Sequence, residues 1–454
     1  MSIRFCAWLL LGCALFAAPA GADQAADRIE ELERQQKAMD EEVRKLRQQL
    51  EQQAPDARVQ EVERRQGILT DELLRLREAF VLPESKELKS YYGLGPAASK
   101  VYQLDRGLSI GGYGEFNLDV PVADKSGEKA NFDFLRFVLY VGYKYNDWIV
   151  LNSEIEFEHA TSESTVSASD GSVSVEFATL DFLLHPMANA RAGLILVPVG
   201  FLNEIHEPPF FLGNARPEVE RQVLPSTWRS NGFGLFGELL PGLQYRTYGL
   251  TSLNAEGFES SGIREGRQSG NREIAEDWSW VGRLDYTFVA GTLLGGSIYL
   301  GDQGQDEEYD GKERAAFMQL YELHAQVEMY GFHWRALAAV TDLGDARALS
   351  VQNNQTIADV MWGWYTELAY DVMPFIVDDS TQYLAPWFRY SRINTQDSVP
   401  NGFSPDKRQD REIVEIGIAY KPIPQVVVKL DYRNQDNAAG SDPDEVRIGA
   451  GFVF

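Results

Sequence analysis

The chain ends Glu445-Val-Arg-Ile-Gly-Ala-Gly-Phe-Val-Phe454, and this stretch alternates without a break. Val446, Ile448, Ala450, Phe452 and Phe454 fall on one face, and Arg447, Gly449, Gly451 and Val453 on the other. Side chains of an extended chain point alternately to opposite faces, so this period of two predicts a strand with one apolar and one small or polar face. An edge strand of a soluble sheet alternates too, but usually over about 5–6 residues. Longer alternation, ending on an aromatic, is the pattern of a strand that crosses a membrane in a barrel.

The same period runs back to Gly107. Leu135, Phe137, Leu139, Val141, Tyr143 and Tyr145 alternate with Arg136, Val138, Tyr140, Gly142 and Lys144. Ile149, Leu151, Ile155 and Phe157 oppose Asn152, Glu154, Glu156 and Glu158. About sixteen strands are predicted, an even number as a bacterial barrel requires. They start near Leu108, Phe132, Trp148, Val173, Ala190, Phe233, Leu243, Trp278, Thr292, Phe317, Phe332, Val360, Gln382, Ile413, Gln425 and Val446. Short turns such as Asn146-Asp147, Pro241-Gly242 and Gly331 alternate with long connections such as Val199–Gly232 and Asn254–Asp277. That alternation predicts periplasmic turns at one end and external loops at the other. Aromatics at the short-turn end (Tyr143, Tyr145, Trp148, Tyr330, Phe332, Trp334, Tyr420, Phe452, Phe454) form an expected interfacial girdle.

The beginning of the chain sets the compartment. Residues 1–22 carry Arg4, an apolar run from Phe5 to Ala18, and Ala20-Gly21-Ala22 before Asp23, the form of a secretory signal peptide. Leu10-Leu-Gly-Cys13 resembles a lipoprotein box, but the apolar segment before it is short and continues past it. Both cysteines, Cys6 and Cys13, lie in this leader, so disulfide and thiolate chemistry are excluded from the mature chain. No later stretch approaches the ~18 apolar residues of a membrane helix. A membrane-spanning chain of this kind must be a closed barrel, the only other form that satisfies every backbone group in lipid.

Residues 23–82 have a different period. Ile29, Gln36, Val43 and Leu50 repeat every seven residues, as do Leu32, Met39, Leu46 and Gln53. After Pro55 the pattern resumes with Val59, Gln66 and Leu73, and with Val62, Leu69 and Leu76. This predicts an α-helical coiled coil, and hence an oligomer, with polar layers at Gln36 and Gln66. Residues 83–106 are expected to be a linker, and 107–454 the barrel.

Sixty-eight acidic against 42 basic residues give a formal net charge of −26. That excludes a nucleic-acid binder, which needs a basic stripe. The acidic connections Asp302–Glu313 and Asp436–Glu445 are candidates for divalent bridges to lipopolysaccharide, though a solvated reading suffices and neither has the spacing of a calcium loop.

The third long connection, Val199–Gly232, is where function is expected. Glu204, His206, Glu207, Arg216, Glu218, Glu220, Arg221 and Arg229 supply both signs of charge, as a pore constriction requires. Arg264, Arg267 and Arg272 form a basic patch in the next loop, an anion funnel or a solvated surface. Glu204-Ile-His206-Glu207 offers metal-ligand types, but without a His-Glu-x-x-His motif and beside two prolines it reads as pore lining, with no metal. No nucleophile–base motif points to an enzyme, and no cofactor is called for.

Asn203-Glu-Ile-His-Glu-Pro-Pro209, Arg216-Pro-Glu-Val-Glu220 and Pro225-Ser-Thr-Trp-Arg229, with Phe134–Glu158 and Ser261–Arg267, resemble the phosphate-selective porin O and P family. The resemblance covers about Gly107 to Phe454. It implies a sixteen-stranded trimeric outer-membrane barrel, assembled by machinery that reads Phe454, with the third loop folded inward to narrow a pore for small charged solutes. The inward strand faces depart from a strongly basic pore: Arg136, Lys144, Arg191, Arg246, Arg283, Arg335, Arg389, Lys429, Arg433 and Arg447 are mixed with Glu154, Glu156, Glu158, Glu322, Glu328, Glu367 and Glu415. Phosphate itself is therefore in doubt. The alternatives are a plugged structural barrel tethered to the cell wall by the periplasmic coil and, more remotely, a barrel hydrolase.

Overall fold

The computed structural model describes residues 34, 37–45, 64–70, 88–123, 129–161, 163 and 171–454. The chain divides into two units, 1–86 and 87–454. In the first, residues 37–45 and 64–70 are helical. The signal peptide and the pairing of a coiled coil lie outside the described residues.

The second unit is a closed antiparallel barrel of sixteen strands. They are β1 (Gly107–Ala123), β2 (Asn131–Lys144), β3 (Ile149–Glu158), β4 (Val173–His185), β5 (Ala188–Leu196), β6 (Arg229–Leu240), β7 (Leu243–Thr251) and β8 (Trp278–Tyr286). The second half is β9 (Thr292–Gly301), β10 (Met318–Met329), β11 (Phe332–Leu343), β12 (Val360–Tyr370), β13 (Tyr383–Ser398), β14 (Asp410–Ile423), β15 (Val426–Asn437) and β16 (Asp444–Val453). Each strand pairs with its sequence neighbour, and β16 closes on β1 with Val453 opposite Tyr113 and Val446 opposite Val120. Phe454 continues the ladder by exchanging backbone hydrogen bonds with Gly112. A two-residue ribbon, Glu308–Tyr309 with Lys312–Glu313, decorates the loop after β9.

The alternation settles which face is which. Ile448 is exposed on the outside of β16, whereas Arg447, Gly449, Gly451 and Val453 are buried on the inside. Around the barrel Leu323, Leu294, Phe233, Leu284 and Phe132 are also exposed. An apolar outer band on a barrel without edges is a face made for lipid. Tyr143, Tyr145, Trp148, Tyr330, Phe332 and Phe454 lie exposed around the short-turn end, as an interfacial girdle would.

The strands start within about four residues of their expected positions, with the largest differences at β6, which starts at Arg229 rather than Phe233, and β14, which starts at Asp410 rather than Ile413. β6 begins at Arg229, so Arg229 belongs to the wall rather than to the third loop. The loop, L3, is 197–228; the following long loops are L4 (252–277), L5 (302–317) and L6 (344–359).

The lumen is filled to an extent the sequence does not announce. Val219, Val223, Leu224 and Trp228 of L3 join Phe258 and Ile263 of L4, Tyr309 of L5 and Leu349 of L6 in one buried apolar cluster. It is completed by wall residues such as Tyr299, Leu320, Met361 and Ile393. A second cluster corrects the expectation of a linker before β1. Leu94, Ala97 and Ala98 pack on Tyr113, Val138, Tyr140 and Phe177. Asn152 Nδ2 donates to the Ala98 carbonyl at 2.9 Å, and Lys144 Nζ donates to the Leu104 carbonyl at 2.6 Å. Residues 88–104 are thus part of the barrel interior. A short 3₁₀ helix, Ala98–Gln103, lets this segment spend its small side chains against the wall.

Candidate functional site

L3 leaves the wall after β5 and touches it again on every side. Three glycine-scale approaches make this possible. On β16, a Cβ at Gly449 would collide with Asn214 Oδ1, and one at Gly451 with Cβ of Pro208. The small inward face of the terminal strand is therefore the seat of L3. In the segment before β1, a Cβ at Gly95 would meet the Glu207 carboxylate at 2.5 Å.

Toward β12–β16 the seat is a network of paired charges. Arg389, fully buried on β13, donates Nε to Glu367, Nη1 to Glu415 at 2.9 Å, and Nη2 to the Leu212 carbonyl at 2.7 Å. Arg447 donates to Asp431 at 2.7 Å and to Glu415 at 2.6 Å. The other oxygen of Asp431 accepts the backbone N–H and side-chain amide of Asn214 at 2.7 and 2.6 Å. Lys429 lies 3.7 Å from the Phe211 ring centroid and donates to the Gly213 carbonyl. Glu218 accepts from Arg411 and Arg433. Burial alone would push its carboxyl up, but Arg221, Arg433 and Arg411 together hold it well below the usual carboxylate range. Glu220 accepts from the Tyr365 hydroxyl at 2.6 Å and from the Leu202 N–H at 2.7 Å.

Toward β3–β8 the charges are less evenly matched. Glu204 faces Arg246 at 3.4 Å and Arg283 at 4.0 Å. Arg246 and Arg283 also hold Asp285, and Arg283 donates to the Gly200 carbonyl. His206 Nε2 lies 3.1 Å from Glu154 Oε1 and 3.5 Å from Glu176 Oε2. Glu207 accepts the Ala97 and Ala98 amides at 2.9 and 3.3 Å. Burial pushes its carboxyl up to about 8, against the pull of those two amides. Arg229 donates to Glu176 at 3.0 Å.

L3 thus brings Glu204, His206, Glu207, Arg216, Glu218 and Glu220 into the lumen: Glu204, His206, Glu218 and Glu220 against wall side chains, Glu207 against the Ala97 and Ala98 amides, and Arg216 buried with its Nε and Nη2 unpartnered. Arg221 stays half exposed. The fourth-loop patch divides. Arg264 donates to the Arg221 and Ser226 carbonyls, and Arg267 to Ser226 and Thr227, so both bracket L4 onto L3. Arg272 is exposed. Below L3, at the short-turn end, lies a cavity of about 710 Å³ lined by Tyr92, Phe201, Glu204, Arg246, Arg335 and Lys421 among others. Sequence reading found the wall charges through their period but not their pairing across strands, nor the part played by 88–104.

No family model matches the chain. Its fold is similar to that of Salmonella typhi OmpF in complex with daunomycin: TM-score 0.51, 13% identity, 77% of this chain and 98% of that one. The outer membrane channel DcaP of Acinetobacter baumannii aligns at TM-score 0.49, with 12% identity over 76% of this chain and 97% of its own. In sequence, an uncharacterized protein of Aquifex aeolicus (strain VF5) is 34% identical over 388 residues, covering 82% of this chain and 86% of that protein. The chain is therefore a sixteen-stranded porin-like barrel and belongs to the same family as this Aquifex aeolicus protein.

Proposed function

We propose that the chain is an outer-membrane, porin-like channel for small hydrophilic, charged solutes, constricted by L3. The observation that carries this reading is the position of L3: a charged loop held across the lumen, with a mixed-sign vestibule on its short-turn side. Fixed charges of both signs at the narrowest level select by replacing part of a solute's hydration. Glu204, His206, Glu207, Arg216, Glu218, Glu220, Arg221 and Arg229 are the constriction residues in this account. Arg264 and Arg267 spend their N–H groups on carbonyls and serve as brackets rather than as a funnel.

The resemblance to the phosphate-selective porins supports the architecture more than the solute. Phosphate selection needs surplus Arg or Lys along the path. Here Arg136, Arg246, Arg283, Arg335, Arg389 and Arg447 each meet a carboxylate, which favours solutes of mixed charge. In the same reading the coil of 23–82 is periplasmic and trimerises the barrel, Phe454 is the assembly signal, and the chain has no catalytic role.

A second reading, a structural barrel with a closed lumen tethered through the coil, is favoured by the apolar cluster of L3–L6 and by 88–104 inside the wall. Planar-bilayer recording under a salt gradient separates them. Closely spaced triple current steps, with a weak reversal potential, are expected of the channel. Folded trimers that pass no current would overturn it in favour of the structural barrel.

A further inference from the structure

We propose that Glu154 on β3, Glu176 on β4 and His206 on L3 form a binding site for a first-row divalent cation of the zinc class, which latches the loop to the wall. One ligand atom from each lies within 4.8 Å of the other two, and all three side chains are almost wholly buried.

The hydrogen-bonding pattern carries the argument. His206 Nδ1 lies 3.2 Å from the Asn203 carbonyl oxygen, which can only accept. The ring proton therefore sits on Nδ1, and the Nε2 lone pair points at Glu154 Oε1 and Glu176 Oε2. With both carboxylates ionised, three acceptors converge with no donor between them. Glu154 Oε2 and Glu176 Oε2 have no hydrogen-bond partner, and neither does the fully buried hydroxyl of Tyr113, whose ring stands edge-on to His206 at 5.9 Å. Buried oxygens without partners are costly, and a cation held between His206 Nε2, Glu154 Oε1 and Glu176 Oε2 would answer that convergence. A histidine held through Nδ1 by a backbone carbonyl, with Nε2 free for the site, is the arrangement that orients metal-binding imidazoles. One imidazole with two carboxylates suits zinc, manganese or ferrous iron.

The neighbouring cations leave room for this charge. Arg229 takes Glu176 Oε1, leaving Oε2 to the site. Arg136 is engaged by Glu115 and Glu156. Arg216 borders Glu154 and His206, and its Nε and Nη2 are buried without partners. His324 makes the contrast. Its two nitrogens meet Glu322 and Asp285 at 2.7 and 2.8 Å, and Arg283 stands 3.2 Å away, so that cluster is already answered.

The test reads binding, not conductance, so its failure is separate from failure of the channel reading. Untagged chain folded in detergent micelles is stripped with chelator and titrated calorimetrically with Zn²⁺. One saturable equivalent is expected, with zinc X-ray absorption showing a single imidazole. Glu154→Gln/Glu176→Gln, which keeps the shape of the site, and His206→Ala should each weaken binding by at least about tenfold. Heat-shifted electrophoretic mobility verifies that both variants fold, and the isosteric pair keeps the test open if the loop variant does not. No saturable binding by the wild type overturns the proposal. So does weak, non-stoichiometric binding that the folded variants retain, which would belong to surface carboxylates.

Discussion

L3 meets the wall on two shoulders that are built differently. Toward β12–β16, Arg389 uses all three guanidinium nitrogens, and both oxygens of Glu415 and of Asp431 are taken. Toward β3–β8 and the 88–104 segment, Glu154, Glu176, Glu204 and Glu207 each keep one buried oxygen without a partner. The first shoulder is finished in these carboxylates, although Asn214 Oδ1, Arg433 Nε and Trp387 Nε1 there have no partner. A buried network of paired charges gains little over apolar packing, but it fixes a single geometry and is costly to break. The second shoulder has unused bonding capacity, which is where a proton or a ligand has leverage.

The largest way to break this contrast is Arg389→Ala. It leaves Glu367 and Glu415 short of a partner and releases the Leu212 carbonyl, and should cost about 3–5 kcal/mol in urea unfolding of the micelle-folded barrel. A loss under 1 kcal/mol would mean that the finished seat is not what holds L3. Next is Gly451→Val, which drives a side chain into Pro208; overpacking of this kind costs about 1–3 kcal/mol. Its effect should concentrate on L3, with hydrogen exchange rising at 208–216 before the strands respond.

The unfinished shoulder should answer to pH. The Glu207 carboxyl is raised by burial to about 8, above its unfolded value. Its contribution is therefore fully present below about pH 4.5 and is lost as pH rises through about 8. Amides 97–104 should be better protected at pH 6 than at pH 9, after correction for intrinsic exchange. Glu207→Gln should flatten that difference, and an unchanged pH dependence in the variant would remove Glu207 as its source. The smallest effect is expected at Arg272, exposed in L4, where Ala should change stability by no more than about 0.5 kcal/mol.

The sequence made the barrel legible because its outer face obeys one rule. Lipid demands an apolar residue at every second position, so strand number and the alternation of turns and loops follow from periodicity. The inward face of β16 was equally visible as Arg447, Gly449, Gly451 and Val453, but not the reason for its small residues, since Pro208 and Asn214 are more than 230 residues away in the chain. Nor does a run such as Tyr91–Lys100 show that it lies inside a wall, because its partners Asn152 and Glu207 come from unrelated stretches. His206 parts company with its neighbours in sequence. Its neighbours in sequence, Glu204 and Glu207, turn to Arg246 and to Ala97, and its neighbours in space are Glu154 and Glu176. Strand period reports the face of a residue, whereas a site depends on register between strands and on where a loop lands.

The most direct test of the account is single-channel current through the wild type beside a chain with residues 208–216 replaced by a short Gly-Ser link. If L3 is the constriction, the wild type gives small steps and the shortened chain several-fold larger ones with weaker ion selectivity. Equal conductance in both, from equally folded barrels, would contradict it.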